Sequence, residues 1–133
     1  MLSMFNQELV QDILNQILDA TQKVITRFKP IKTVEDFTNS PKGKEKLDSI
    51  CMQLIAIGES LKNIDKITNK NLLIKYPEID WKGAKGLRDI ITHQYFDIDA
   101  EEIFWVCEKH IPALSETIEK IINEGKYDNI GNE

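Results

Sequence analysis

Apolar residues recur along almost the whole chain at steps of three and four, the spacing that keeps one face of an α-helix dry. Val10, Ile13, Ile17, Val24 and Phe28 mark a first helix. Lys29-Pro30 should end it, because proline lacks an amide hydrogen and crowds the turn before it. Thr33 to Phe37 predicts a single helical turn. Ser40-Pro41 reads as a cap with proline in the first helical position. The helix it opens has the most regular pattern: Leu47, Ile50, Leu54, Ile57, Leu61 and Ile64, an a/d seam for packing against another helix. Residues 69–76 predict a short helix or turn ended by Pro77, and Trp81 to about Thr92 a further helix. Asp99-Ala100-Glu101-Glu102 has the form of a capping box. It opens a last helix with Ile103, Cys107, Ile111, Leu114, Ile118 and Ile121 on one face, which Pro112 should distort near Glu108.

No stretch alternates at the period of a strand. The pattern specifies an all-α, antiparallel helical bundle of four to five helices, with residues 1–124 as one helical domain and 125–133 as a polar C-terminal tail. Seams this apolar also suit a homodimer.

A chain of 133 residues, 41% hydrophobic and 29% charged, can bury one core. No apolar run approaches the roughly 18 residues a membrane-spanning helix needs, and the first residues lack the basic and apolar regions of a signal peptide. A cytoplasmic location is expected, with no membrane partner. Cys51 and Cys107 fall inside helical stretches without CxxC spacing and read as reduced core residues. Together with His93 and His110 they form no pair at zinc-ligand spacing. No cofactor is expected, and any catalysis would be metal-independent or would use a metal held by carboxylates. The net charge of −5 confines nucleic-acid binding to a local basic patch.

One such patch stands in residues 81–97. Trp81, Lys85 and Arg88 are spaced i, i+4, i+7, along one helical face, with Lys82 at its border. Three cations beside an aromatic ring suit a phosphate and a stacked base, which makes Lys82, Lys85 and Trp81 candidate RNA contacts. A solvated basic face whose Trp anchors the core accounts for the same spacing. Gly83 and Gly86 weaken a helix unless another backbone or a ligand comes close. His93 is the one side chain nearby with an ordinary pKa close to neutrality. A metal-free ribonuclease needs a base for the ribose 2′-hydroxyl and a cation for the phosphate charge, jobs that suit His93 and Arg88. A structural hydrogen bond is the alternative for His93. Five residues separate the two, about 140° around an ideal helix. Either the helix ends or distorts before His93, or two subunits build the site together. Tyr95 reads as a substrate contact or as a half-buried anchor. Glu59 and Asp89 are secondary candidates, and Asp99 is most simply a helix cap.

Arg88-Asp-Ile-Ile-Thr-His93-Gln-Tyr95 resembles the R-x4-H-x-Y signature of HepT-like toxins, a branch of the HEPN superfamily. Ile57-Gly58-Glu59-Ser60 resembles that family's IGE segment, and Tyr76-Pro77-Glu78-Ile79-Asp80-Trp81 its approach to the motif. Tyr95 to Asp99, Ile103-Trp105 and Ile111-Pro112-Leu114 are similar to the stretch that follows it. The likeness runs over roughly residues 8–122. It implies a helical homodimer in which the arginine–histidine pairs meet near the interface, and a metal-independent endoribonuclease acting on RNA, with tRNA as a substrate class. It also implies a toxin–antitoxin system of type VII, whose nucleotidyltransferase antitoxin AMPylates the motif tyrosine, Tyr95. Asp89 stands where the family often has Asn, and Gln94 where it often has Asp. An acid beside Arg88 can pair with it and dull its grip on phosphate. The rival expectation is a non-catalytic helical module that holds a nucleotide or substrate for a minimal nucleotidyltransferase.

Overall fold

The computed structural model describes residues 2–94 and 96–127, and among these it is all helical apart from turns. The long helices are α1 (Met4–Phe28) and α3 (Pro41–Ile67), joined through the single turn α2 (Glu35–Thr38). A 3-10 turn, Leu73–Lys75, leads to the short helices α4 (Trp81–Lys85) and α5 (Leu87–His93). Then α6 (Ala100–Trp105) runs through a π-helical turn, Val106–His110, into α7 (Ile111–Glu124). With α4–α5 and α6–α7 taken as continuous bodies, this is the helical bundle expected from the periodicity. None of the described helices is long and apolar enough to cross a membrane.

The caps fall where the sequence puts them. Ser40 accepts a hydrogen bond from the Gly43 N–H at 3.0 Å ahead of Pro41, and Asp99 accepts from Glu102 N–H at 3.1 Å. Every member of the α3 seam is buried, five of the six without exposed surface, as are all six apolar positions of α6–α7. On α1 the buried stripe is Val10, Leu14, Ile17, Ala20, Thr21 and Val24, with Ile13 and Phe28 at its edges. Thr21 is a polar member of that seam. Its hydroxyl donates to the Leu18 carbonyl and lies 3.0 Å from the Ser115 hydroxyl of α7, so no buried oxygen is left unpaired. The Tyr127 hydroxyl, 3.0 Å from Gln11, is also buried, and the two links show α1 and α7 running antiparallel.

Two features differ from the sequence reading. The helix expected over residues 81–92 is broken at Gly86 and continues through His93. The close backbone approach sought at Gly83 and Gly86 belongs to Gly58. A Cβ there would lie 3.2–3.3 Å from the Ala84 and Lys85 carbonyl oxygens and the Arg88 nitrogen, so α4–α5 crosses α3 closely enough that even a methyl group would have to push the two backbones apart by a few tenths of an ångström. At Gly83 the nearest atoms belong instead to the Asp80 carboxylate, which caps α4. The distortion expected near Glu108 is the π-turn, which ends just before Pro112, whose missing N–H cannot continue an α-helical ladder.

Cys51 and Cys107 are buried free thiols, and burial pushes both from their ordinary 9.0 up to about 12. Neither should react with iodoacetamide at pH 8 until the chain unfolds; fast native labelling would refute that burial. The raised folded-state pKa also means that the stability it contributes is present below pH 9.0 and is lost as pH climbs toward about 12, because the unfolded thiols ionise first. Urea midpoints should therefore fall across that interval. Gly58→Val should lower stability by about 1–3 kcal/mol through overpacking, and an unchanged urea midpoint would show that the two helices can part freely.

Candidate functional site

Helix α5 begins directly after the Gly86 break and carries Arg88, Asp89 and His93. It lies over α3 at Gly58, which brings the next residue of α3, Glu59, to Arg88: Nε and Oε2 are 3.4 Å apart. Arg88 also has Nη1 3.6 Å from Oδ1 of Asp89. Farther along α3, Lys62 reaches Asp89 at 3.6 Å and Asp65 pairs with Lys85. Three ion pairs thus run along one helix crossing, from Glu59 through Lys62 to Asp65. Lys62 and Asp65 went unnoticed in the sequence because their partners are some 20–27 positions away in the chain. Only their i, i+3, i+6 spacing on α3, matched by Lys85, Arg88 and Asp89 on the facing helices, signals the arrangement.

The exposure of these groups sets what they can do. Arg88, Glu59 and Asp89 each keep about half of the side chain in water, so the pairs are screened and exchangeable. Asp65 is buried and Lys85 only partly exposed, which makes that pair the structural end of the series.

His93 is the last residue of α5, and its exposed ring places Nδ1 2.6 Å from the Asp89 carbonyl oxygen one turn back. A carbonyl can only accept, so Nδ1 carries the proton of the neutral ring and Nε2 keeps the lone pair. The helix is unbroken between Arg88 and His93, which removes the possibility that a helix end turns them together. Thr92 donates to the Arg88 carbonyl at 2.8 Å and adds to the rigidity of that turn.

The remaining candidates separate. Trp81 is partly buried against the core and its indole N–H donates to the Tyr76 carbonyl at 2.8 Å. Lys85 turns toward Asp65, while Lys82 is exposed. The stripe of Trp81, Lys85 and Arg88 is therefore divided: Trp81 faces the core, and the two cations face carboxylates of α3. Tyr95 lies outside the described residues.

The sequence profile of the family described as ribonuclease HepT-like matches residues 17–121. A Methanocaldococcus jannaschii protein named as a candidate RNase is 34% identical over 107 residues, 74% of this chain and 85% of its own. A second protein of that organism, named in the same way, is 32% identical over 122 residues, 90% of this chain and 94% of its own. A third, named a gamma-glutamylcyclotransferase and candidate RNase, is 34% identical over 115 residues, where the alignment covers 86% of this chain but 48% of that protein. No solved structure matches significantly. The profile match and these alignments cover the helices that carry Arg88, His93 and Glu59: the chain belongs to the HepT-like ribonuclease family.

Proposed function

We propose that this chain is a metal-independent endoribonuclease in which His93 is the general acid/base and Arg88 stabilises charge on the phosphate. The observation that carries the reading is the hydrogen bond from His93 Nδ1 to the Asp89 carbonyl, which fixes the tautomer a base requires. Nε2 takes the proton of a ribose 2′-hydroxyl and the 2′-oxygen attacks the adjacent phosphorus. The bond to the 5′-oxygen breaks, and that oxygen leaves with a proton returned by the imidazolium. The upstream fragment ends in a 2′,3′-cyclic phosphate and the downstream one in a 5′-hydroxyl. Arg88 exchanges its exposed carboxylate partners for the phosphate oxygens as their charge grows.

Because α5 is continuous, Arg88 and His93 of one chain diverge, and the reading takes the working site to be shared between two copies in a homodimer. Support for such an interface comes from exposed Ile90 and Trp105, which line a cleft of about 440 Å³ with Leu87 and Val106. Within this reading the RNA is tRNA and the protein is the toxin of a type VII pair. Its nucleotidyltransferase antitoxin silences it by AMPylating Tyr95. The order of Arg88, His93 and Tyr95 in the motif supports that assignment.

A second reading is favoured by one observation: Arg88 already has two carboxylates beside it. A helical module that holds a nucleotide or substrate for its nucleotidyltransferase, without cutting RNA, would tolerate that neutralisation.

Purified protein with unmodified Tyr95, verified by intact mass, should cut tRNA into discrete fragments in EDTA. His93→Ala and Arg88→Ala should each slow cleavage by about 10²-fold or more with helicity unchanged. Intact tRNA from the parent selects the non-cutting module, and parent-rate cleavage by either variant removes the mechanism. Asp89→Asn should speed cleavage several-fold, most at low salt, where the competing carboxylate is least screened. Equal rates would mean that Asp89 does not compete for Arg88.

A further inference from the structure

Next to the Arg88 site, the end of α3 forms a shallow basin of about 450 Å³ that the proposed chemistry does not use. Lys62, Lys66 and Lys70 face Lys85 of α4 across it, with Asp65 and Asn69 on its wall. Four lysines line the basin, and Asp65 within it and Asp89 at its edge offset two of them, which leaves a surplus of two positive charges in a chain whose net charge is −5. Asp65 is engaged with Lys85, and Lys62 reaches Asp89. Among the described residues, Lys66 and Lys70 are exposed and make no ion pair.

Lys70 is the informative residue. It sits in the left-handed region with φ 62°, directly after Asn69 at φ 53°. Asparagine tolerates that conformation, but a lysine pays for it in stability, and glycine would serve the turn better. The turn itself closes α3 through the Lys70 N–H, which donates to the Asp65 carbonyl at 2.8 Å, a bond any residue with an amide hydrogen can make. Neither the hydrogen bond nor the backbone conformation of the turn calls for a lysine at this position. What lysine adds is a charge, on the same wall as Lys62 and Lys66, which are separated by about 6 Å of rise along α3.

We infer that this basin is a second phosphate-binding subsite for the RNA, gripping the backbone a few nucleotides from the linkage that Arg88 and His93 address. This rests on the nuclease reading above for its substrate. The basin adjoins the site through Lys62, whose partner Asp89 is the neighbour of Arg88. Lysines act here as point charges and give salt-dependent affinity without reading bases.

The test is binding of fluorescently labelled tRNA by the full chain in a His93→Ala background, measured by anisotropy across sodium chloride concentrations. Lys66→Gln combined with Lys70→Gly should weaken binding by about tenfold at 100 mM salt. It should also make the slope of log affinity against log salt shallower by about 1.4–1.8, the value for two lost phosphate contacts. Lys44→Gln, at the opposite end of α3, should bind as the background does. Lys70→Gly alone should raise the melting temperature while lowering affinity several-fold, a pairing that a merely structural lysine would not give. An unchanged slope and affinity in the double variant overturns the subsite. Cleavage by protein with His93 intact is scored separately. If it cuts tRNA while the double variant binds like the background, the basin is wrong and the nuclease stands. If tRNA is bound but never cut and the slope still falls, the nuclease is wrong and the basin stands. Absence of tRNA binding removes both.

Discussion

The missing side chain at Gly58 is the constraint on which the site depends. Helices of five and seven residues do not hold together alone in water. They persist here because α4–α5 lies on α3 at backbone distance, with carbonyl and amide atoms of Ala84, Lys85 and Arg88 only 3.2–3.3 Å from where a Cβ would be. That closeness also decides which side chains meet. Carboxylates as short as Asp65 and Asp89 reach cations on the facing helix only because the axes are so near. Moving the helices apart by one methyl group would strain the packing and also take Arg88 out of register with Glu59.

The ion pairs along this crossing orient more than they stabilise. Exposed pairs contribute about 0–1 kcal/mol at most, and those of Arg88 are half in water. Their effect is to hold a long, flexible guanidinium at a fixed place on the surface with little loss of free energy when a phosphate displaces the carboxylates. The buried end, Asp65 with Lys85, behaves differently, because removing either member would strand a charge away from water.

Most of the architecture is legible in the amino-acid order because it is written locally. Seams repeat every seven residues, Ser40 and Asp99 cap their helices within three residues, and Pro30 and Pro112 act on their own turns. Arg88 and His93 could be named from the chemistry of cleavage and the motif that contains them. What escaped depends on contacts between distant positions. Thr21 looks like a surface residue until Ser115 is beside it. Lys62 and Asp65 look like ordinary helix-surface charges until α4–α5 is laid across them. Beyond its place in the IGE segment, nothing at Gly58 announces a close approach more than at Gly83 or Gly86, since such an approach is a property of the neighbour rather than of the glycine. The break at Gly86 fell inside a stretch whose apolar spacing continues smoothly on either side.

The π-turn at Val106–His110 has a consequence for how such a chain can change its length. One residue more than an α-turn is housed inside a continuous helix. Removing a single residue there would restore ordinary winding and leave α6 and α7 facing as before, because the wider turn carries its extra residue through about the same rotation as an α-turn. Trp105, exposed beside the cleft, would keep its face, and the buried face of α7 would stay where it is. The turn is thus a buffer for residue count, through which the chain can lose one amino acid without re-aiming α6 or disturbing the core.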